Sequence, residues 1–291
     1  MEREIIKEIN VNSIMTRSTL PVGGYSVNPY VGCPHACRYC YASFMKRFTG
    51  HTEPWGSFLD IKNWEPIKNP HLYDGKRVVI GSVTDGYNPY EKYFRRTRKV
   101  LEELQGSSAE IMICTKSDLV LRDIELLKKF PKATVSWSIN TLDENFRTDM
   151  DKASTIASRI EAMRQVYESG IRTVCFISPI FPGITDVKAI IEQVKDFCDL
   201  VWLENLNLRG GFKHNIMEYI GKAYPALLPL YEEIYDRKRT GYWQALEQDI
   251  QQYALQHGYP YRINDLPYGR SERGKPVIVN YFYHEKIRRH K

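Results

Sequence analysis

Apolar, β-rich runs alternate with amphipathic stretches along most of this chain, and that alternation limits the folds open to it. Six runs are predicted to be strands: Tyr25–Val31, Arg77–Val83, Glu110–Cys114, Ala133–Ile139, Arg172–Ile177 and Asp199–Glu204. Helical patterns lie between them, at Arg95–Gln105, Leu119–Lys129, Ala153–Ser169 and Thr185–Cys198. Strands separated by helices of this length form βαβ units and a parallel sheet with right-handed crossovers. We therefore predict an α/β fold, either a doubly wound sheet or an incomplete barrel.

Polar residues mark the ends of two of these helices. One helix is predicted to begin with Ser154 and to end at Ser169, just before Gly170. The Thr185–Asp186 pair is predicted to cap the N-terminus of the next helix. In either α/β arrangement, ligands bind at the carboxyl ends of the strands.

The alternation changes after Glu204. Two helices, Tyr219–Tyr235 and Tyr242–His257, and an extended segment, Lys275–Tyr283, are predicted there, and the many tyrosines are expected to pack these helices onto the core. We predict a core of residues 1–205 and a mainly helical C-terminal extension of residues 206–291.

Composition excludes several classes of protein. The chain has 291 residues, of which 43% are hydrophobic and 26% charged, as in ordinary folded domains. No stretch approaches the roughly 18 apolar residues that a membrane-spanning helix needs. The first residues are charged throughout and do not resemble a signal peptide. We therefore predict a cytoplasmic protein that does not enter a membrane, with reduced cysteines.

Positive charge is concentrated in the last part of the chain. From Leu206 to Lys291 there are 14 Lys and Arg against 9 Asp and Glu, a net charge of +5. Two clusters contribute most of it, Arg237–Arg239 and Lys286–Lys291. Such clusters are consistent with a nucleic-acid partner or with a solvated basic surface.

Three of the six cysteines lie within eight residues, at Cys33, Cys37 and Cys40. A structural zinc site normally takes four protein ligands, and no fourth cysteine lies nearby in the sequence. Thiolates also hold iron–sulfur clusters, and a [4Fe–4S] cluster on three cysteines leaves one iron with an open coordination position. The other three are far apart in apolar elements and are interpreted as ordinary buried cysteines: Cys114, Cys175 and Cys198.

The spacing C-x3-C-x2-C directly after the first strand, with Gly32 before it and Tyr39 inside it, resembles the signature of the radical S-adenosylmethionine (SAM) superfamily. In that family the three cysteines hold a [4Fe–4S] cluster, and the unique iron binds the amino and carboxylate groups of SAM. Reductive cleavage then gives methionine and a 5′-deoxyadenosyl radical that abstracts hydrogen. The resemblance implies that Cys33, Cys37 and Cys40 are metal ligands and that SAM is the second cofactor.

Later segments resemble the spore-photoproduct-lyase-like branch of this superfamily. They extend the resemblance from Asn28 to about Glu204: Ser82–Glu91, Thr115–Ser117 with Leu121–Asp123, Val135–Asn140, Arg159 and Pro179–Asp186. The implied fold is a partial (β/α)6 TIM-like barrel, in agreement with the six predicted strands. The segments Tyr242–Trp243 and Gly274–Glu285 resemble the group called radical SAM mobile pair protein B, which implies a partner radical SAM protein.

Residues that follow the predicted strands are the candidates for the site. Asp85 and Lys116 come after the second and third strands, and Lys116 is expected to pair with the carboxylate of SAM. A solvated loop lysine is the alternative for Lys116, and Arg159 on its helix is equally consistent with an ion pair. The resemblance implies two sets. The cofactor-binding set is Tyr39, Lys116, Ser138, Asn140, Arg159 and Pro182, and the catalytic set is Asp85, Tyr39 and Tyr41. Glu204 could face the substrate.

One departure from the lyase pattern is informative. The photoproduct lyase carries a cysteine hydrogen donor in a segment that here reads Gly81–Val83, and this sequence has no cysteine between Cys40 and Cys114. We therefore do not expect thymine-dimer repair.

The predicted activity is radical SAM chemistry on an unidentified substrate, with a reductant of the flavodoxin or ferredoxin type. Two alternatives stay open. One is a nucleic-acid-directed modification or repair enzyme of the same superfamily, suggested by the basic C-terminal part. The other is a non-catalytic module in which a metal loop holds the fold together.

Overall fold

A computed structural model describes residues 4–18, 24–208, 211–263 and 275–282. Within these ranges it contains twelve strands: β1 Ile5–Asn10, β2 Thr16–Arg17, β3 Tyr25–Val27, β4 Tyr30–Val31, β5 Phe58–Asn63, β6 Arg77–Ile80, β7 Glu110–Thr115, β8 Lys132–Ser138, β9 Arg172–Ile180, β10 Leu200–Asn205, β11 Tyr261–Ile263 and β12 Val277–Asn280.

Nine α-helices accompany the strands within the same described ranges: α1 Glu91–Phe94, α2 Arg96–Glu103, α3 Ile124–Leu127, α4 Glu144–Met150, α5 Ile156–Glu168, α6 Val187–Val194, α7 Gly211–Ala223, α8 Leu228–Tyr235 and α9 Gly241–His257. Short 3-10 helices supplement them at Tyr41–Phe48, Pro70–Tyr73, Asp118–Asp123, Lys195–Phe197 and Pro225–Leu227.

The chain forms two compact units. The first contains residues 1–37, 42–137 and 151–173, and the second contains residues 38–41, 138–150 and 174–291. The division into a core of residues 1–205 and an extension of residues 206–291 stays a prediction. In the described part of the chain, no helix combines the length and the apolar composition needed to cross a membrane.

The first unit contains a parallel sheet in which β3 pairs with β6, β6 with β7, and β7 with β8, while β2 joins β3 antiparallel. Strands β6 and β7 are apolar along almost their whole length and are buried, as expected of parallel strands covered on both faces. A smaller group consists of β5, with β1 parallel and β4 antiparallel to it.

The second unit contains a parallel sheet in the order β11, β12, β10 and β9. Here the late strand β12 lies between β10 and β11 and pairs with both. The extended segment predicted at Lys275–Tyr283 therefore contains a strand at Val277–Asn280, and Tyr283 lies outside the described residues. The basic cluster Lys286–Lys291 also lies outside them.

All six strands predicted from the alternation are present, most with ends shifted by a few residues. The run Tyr25–Val31 is the exception, because it divides into β3 and β4, which belong to different sheets. The α5 cap is also one residue later than predicted, since the Thr155 side chain accepts the Ser158 N–H at 3.1 Å. Asp186 caps α6 as predicted, accepting the Ala189 N–H at 3.0 Å.

Two predicted helices were wrong in extent. The pattern at Tyr219–Tyr235 gives α7 and α8, because Pro225 and Pro229 lack the N–H that a continuous helix needs. The pattern at Leu119–Lys129 gives a 3-10 helix followed by the short α3.

Candidate functional site

The turn that leads into the three cysteines is held by backbone contacts within the first unit. Gly32 has φ of +84°, and a Cβ there would lie 2.2 Å from the Phe58 carbonyl oxygen, so no other residue fits. The Thr84 hydroxyl donates to the Gly32 carbonyl at 2.6 Å. The Ala36 N–H closes a turn onto the Cys33 carbonyl at 3.0 Å. The segment Cys33–Cys40, called the cysteine loop below, therefore begins with a defined backbone conformation.

His35, inside the cysteine loop, joins that loop to the ends of β6 and β7. Its ring Nδ1 lies 3.3 Å from Asp85 Oδ2, and both side chains are buried. Its carbonyl accepts the Lys152 N–H at 2.8 Å. Sequence reasoning missed this role for His35, although a histidine between two cysteines and an aspartate after a strand were both visible in the sequence.

Protein donors occupy the carboxylate of Asp85 on both oxygens. Oδ1 accepts the Tyr87 N–H at 2.8 Å, and Oδ2 accepts the Lys116 N–H at 2.7 Å. The Thr115 hydroxyl lies 2.9 and 3.1 Å from the two oxygens. Burial by itself would raise the pKa of Asp85, but His35 and the backbone N–H donors outweigh it and hold that pKa below its ordinary value.

A second buried network joins two of the segments that carry the family resemblance. Glu91 accepts the Thr97 and Arg98 N–H groups at 3.0 and 3.1 Å, the Arg122 guanidinium at 2.7 Å, and the Tyr30 hydroxyl. Arg122 also reaches Asp123 at 2.7 Å. Both carboxylates are completely buried. The Arg–Asp pair of that motif is therefore an ion-pair centre that holds the 3-10 helix Asp118–Asp123 to α1. Sequence reasoning did not assign it that role.

The three cysteines of the loop differ in exposure. Cys33 is buried, and Cys37 and Cys40 are half-buried. Among the described residues, no three His, Cys, Asp or Glu side chains are arranged as a ready metal site. The donor set nevertheless fits an iron–sulfur cluster, because three thiols stand in one loop, and thiolates are the ligands that such clusters take.

The remaining cysteines have the properties of protonated core thiols. Burial raises the pKa of Cys114 and of Cys198 to about 12, and it raises that of Cys175 well above its ordinary value. Cys198 Sγ accepts the Cys175 N–H at 3.3 Å. Cys175 and Cys198 are buried, as predicted, whereas Cys114 is half-buried. A thiol with a raised pKa is a poor nucleophile and metal ligand.

In the second unit, a turn after β9 gathers several of the predicted cofactor residues. Pro182 and Gly183 form this turn, and Gly183 has φ of +72°. The Gly183 N–H donates to the Tyr242 hydroxyl at 3.0 Å. Tyr39 is buried and packs edge-on against Phe181, with ring centroids 5.5 Å apart. Tyr39 and Pro182 thus lie in one neighbourhood.

Asn140 belongs to the same neighbourhood, and its backbone and its side chain differ in their hydrogen bonding. Its backbone carbonyl accepts the Thr185 hydroxyl at 2.8 Å, while its side chain is 2% exposed. Its Nδ2 atom is buried and has no hydrogen-bond partner among the described residues. Buried amide groups in folded proteins are nearly always satisfied, and Asn140 Nδ2 is one of ten buried side-chain atoms in the described residues that lack a hydrogen-bond partner.

The other predicted site residues are distributed as follows. Lys116 is half-buried after β7, Ser138 ends β8 and is half-buried, and Tyr41 is 58% exposed at the start of a 3-10 helix. Arg159 is 0% exposed, and its guanidinium binds Asp151 Oδ1 at 2.7 Å and the Ser154 carbonyl at 2.8 Å. The ion-pair alternative for Arg159 therefore accounts for its burial.

Glu204, at the end of β10, also has a protein partner. It accepts the Ser178 hydroxyl at 2.7 Å, a contact between the ends of β10 and β9. No assignment to a substrate follows from this contact.

Comparisons with known proteins agree with the cysteine loop. The model of the Radical SAM superfamily matches residues 27–196, which is more than half of the chain. An uncharacterized protein of Methanocaldococcus jannaschii is 40% identical over 227 residues, covering 76% of this chain and 84% of that protein. The Radical SAM Nalpha-GlyT isomerase of Pseudomonas phage M6 is 22% identical over 232 residues, covering 76% of this chain and 44% of that protein.

A solved structure shares the fold. A spore photoproduct lyase variant with bound AdoMet and dinucleoside spore photoproduct matches with a TM-score of 0.56 and 15% identity. The match covers 76% of this chain and 66% of the lyase chain. The predicted α/β fold of the partial-barrel type is thereby confirmed.

Proposed function

We propose, from the premise that this chain belongs to the radical SAM superfamily, that Cys33, Cys37 and Cys40 hold a [4Fe–4S] cluster with which the enzyme cleaves SAM reductively. The observation that carries the proposal is the cysteine loop, which lies inside the matched region. When bound, the cluster and SAM supply a 5′-deoxyadenosyl radical that abstracts hydrogen from the substrate, with methionine as the second product. The superfamily as a whole requires a reductant and a substrate.

The protein's part in this chemistry begins with holding the loop. Gly32 sets the direction of the chain, the Thr84 hydroxyl binds its carbonyl, and the His35–Asp85 contact ties the middle of the loop to β6 and β7. Because Asp85 already accepts from four groups of the protein, its role in this proposal is to position the loop rather than to touch the substrate. The catalytic role expected for Asp85 from the sequence stays a prediction.

Binding of SAM is assigned to polar groups at strand ends. Asn140 is the best supported of them, because its buried amide lacks a partner within the described residues. Lys116, which follows β7, and Ser138, the last residue of β8, remain proposed contacts, as do Tyr39 and Pro182 near the turn after β9. Arg159 is the least supported, since Asp151 already engages its guanidinium. Tyr39 and Tyr41 remain proposed catalytic residues.

The decisive experiment is anaerobic. The protein is reconstituted with iron and sulfide, then given SAM and dithionite, and iron content and 5′-deoxyadenosine are measured. Cys37→Ala should lose both the cluster and the product, whereas Cys114→Ala, a cysteine outside the loop, should keep both. Absence of iron from the wild-type protein would overturn the proposal and favour a loop that only holds the fold together.

A second candidate is a nucleic-acid substrate for the same chemistry. Arg237, Lys238 and Arg239 are all exposed, and no salt bridge to them occurs in the described part of the chain. The spore photoproduct lyase variant named above holds a dinucleoside. Binding to DNA or RNA whose affinity falls steeply with salt would support this candidate, and salt-insensitive or absent binding would remove it.

The requirement for a partner radical SAM protein and a cytoplasmic location also remain proposals. Co-purification with a second iron-containing chain tests the first, and fractionation of cells tests the second.

A further inference from the structure

His51 lies in the first unit between the 3-10 helix Tyr41–Phe48 and β5, and both of its ring nitrogens face carboxylates. Nδ1 lies 3.0 Å from Glu53 Oε2, and Nε2 lies 2.8 Å from Asp60 Oδ1. The side chains of His51 and Asp60 are nearly completely buried, at 4% and 8% exposure. The three residues His51, Glu53 and Asp60 are called the His51 brace below.

The two contacts of the His51 brace require a proton between each nitrogen and its oxygen. A neutral imidazole has one N–H group and an imidazolium has two, whereas an ionised carboxylate only accepts hydrogen bonds. The backbone N–H of Glu53 and then the His51 ring hold the pKa of the Glu53 carboxyl below its ordinary value, so this carboxylate is an acceptor at neutral pH. The protonated ring therefore completes both bonds, and loss of one proton leaves a nitrogen lone pair facing a carboxylate oxygen.

The His51 brace belongs to a segment that packs against the start of the cysteine loop. The His51 ring stacks on the Phe58 ring, with centroids 3.8 Å apart. A Cβ at Gly32 would lie 2.9 Å from the same Phe58 ring, and a Cβ at Gly56 would lie 2.7 Å from Ala36 Cβ. Ala36 is part of the cysteine loop and has φ of +47°, a conformation that a residue with a Cβ keeps when its surroundings hold it there.

Other charged groups lie on the elements around the brace. They are three lysines: Lys7 on β1, Lys46 on the 3-10 helix and Lys62 on β5. Lys7 pairs in register with Asp60, and Lys62 follows Asp60 by two residues on the same face of β5. On β4, the residue opposite Asp60 is the apolar Val31. Burial lowers the pKa of Lys62, so a pH experiment has to separate its titration from that of His51.

We propose that His51 is a positioning residue for the cluster, and that its protonated ring holds the segment His51–Asp60 against the cysteine loop. Because this role concerns the loop assigned to the cluster, it rests on the proposed function. When the ring loses a proton, one hydrogen bond of the brace is replaced by repulsion between lone pairs, and the loop is held less firmly. The protein therefore loses its cluster faster as pH rises and the His51 ring becomes neutral.

The state of the ring is measured first, because this measurement needs no iron. The full chain is labelled with ¹⁵N-histidine, the His51 signals are assigned with His51→Gln, and NMR spectra are recorded from pH of about 6 to pH of about 9. We expect two ring N–H groups at the acid end and one at the alkaline end. Protection of the Ala36 N–H from hydrogen exchange, corrected for the intrinsic rate at each pH, should fall as the ring loses its proton. A ring that keeps the same number of N–H groups throughout would overturn the proposal.

The second measurement is the rate at which the anaerobic, reconstituted protein loses iron to a chelator. For the wild type we expect this rate to rise about tenfold across the same pH range, since one hydrogen bond to a charged group is lost. His51→Gln, whose amide does not titrate, should lose iron rapidly at every pH, which separates the ring from the lysines. His71→Gln is the matched control and should behave as the wild type, because His71 is an exposed histidine beside Asp74.

Asp60→Asn distinguishes positioning by the ring from a purely structural role. An asparagine amide donates as well as accepts, so it can donate to the free nitrogen of a neutral ring. We therefore expect Asp60→Asn to keep its iron at alkaline pH longer than the wild type. Faster iron loss from Asp60→Asn at every pH, or equal pH dependence in His51→Gln and the wild type, would contradict the proposal. A wild-type protein that takes up no iron would instead overturn the proposed function, and the NMR and hydrogen-exchange titrations would still show whether the ring holds the loop.

Discussion

Two buried carboxylates of the first unit, Asp85 and Glu91, differ in one respect from Asn140, which lies beside the turn after β9 in the second unit. Asp85 and Glu91 are surrounded by protein donors, so that each oxygen has at least one partner. Asn140 is equally buried, but its amide nitrogen has no partner among the described residues. A satisfied network fixes structure, whereas a buried group without a protein partner takes its hydrogen bond from a water, an ion or a bound ligand.

This difference divides the residues of the family-like segments into two kinds, which the resemblance by itself does not distinguish. Asp85, Glu91 and Arg122 stand in segments shared with the family, as does Asn140, yet the first three hold elements together. We therefore expect variants in the first group to change the free energy of unfolding, and variants in the second to change the affinity for SAM.

The largest effect is expected for Glu91→Gln. The change removes the negative charge that faces Arg122 and leaves buried donors without a full set of acceptors, so the free energy of unfolding should fall by roughly 3–5 kcal/mol. Urea denaturation followed by circular dichroism measures it. Glu102→Gln, at a half-exposed carboxylate paired with Arg98, should cost less than about 1 kcal/mol. Equal losses in the free energy of unfolding for the two variants would contradict the conclusion that the buried donors around Glu91 depend on its charge.

Arg159→Met tests a residue that the sequence placed in the cofactor site. Because Asp151 would be left buried without its ion-pair partner, we expect roughly 3 kcal/mol of destabilisation and little change in SAM affinity. Arg164→Met on the exposed side of the same helix serves as the control. A variant that is as stable as the wild type but binds SAM more weakly would instead support the prediction that Arg159 binds the cofactor.

Asp85→Asn should cost about 1–3 kcal/mol at neutral pH, since an amide replaces an acceptor that faces N–H donors. The folded-state pKa of Asp85 is lowered, so its charge contributes stability that is present above the unfolded pKa of about 3.9 and is lost as pH falls through the folded value. The stability difference between wild type and variant should therefore shrink in acid. Denaturation curves at a series of pH values measure this, and a difference that grows below pH of about 4 would contradict it.

The smallest change in stability is expected for Asn140→Ala, below about 1 kcal/mol, because its amide makes no hydrogen bond within the described chain. Its effect should appear in SAM affinity, with a loss of about tenfold in equilibrium titrations of the reconstituted protein. Asn145→Ala, at an exposed position on α4, should change neither quantity. Unchanged SAM affinity in Asn140→Ala would contradict the proposal that the Asn140 amide binds SAM.

Much of the fold was predictable from local pattern. Parallel strands such as β6 and β7 are continuous apolar runs, and those runs are visible without knowledge of their partners. The division of Tyr25–Val31 between two sheets was not visible, because pairing with β6 or with β5 depends on residues far away in the chain. The break between α7 and α8 could have been predicted from Pro225 and Pro229.

The candidate residues could be picked out from the sequence, but what each of them does could not. The cysteine spacing is a local signal, and its meaning came from resemblance. Whether the protein itself satisfies a polar side chain of a motif depends on donors from distant segments, as Asp85 shows with His35, Tyr87 and Lys116. That information lies in the packing and has no counterpart in the spacing of residues along the chain.

The position of β12 has a consequence for the order of events during protein synthesis. Strand β11 is made before β12, yet it pairs with β12, which separates it from β10. The hydrogen-bonding edge of β10 on that side therefore stays open, and β11 has no place in the sheet, until residues Val277–Asn280 have left the ribosome. The first unit, whose described strands all come earlier in the chain, is free to fold while the second is still being made. A nascent chain stalled before Val277 would consequently expose an apolar edge strand, which is a site for premature association with other chains.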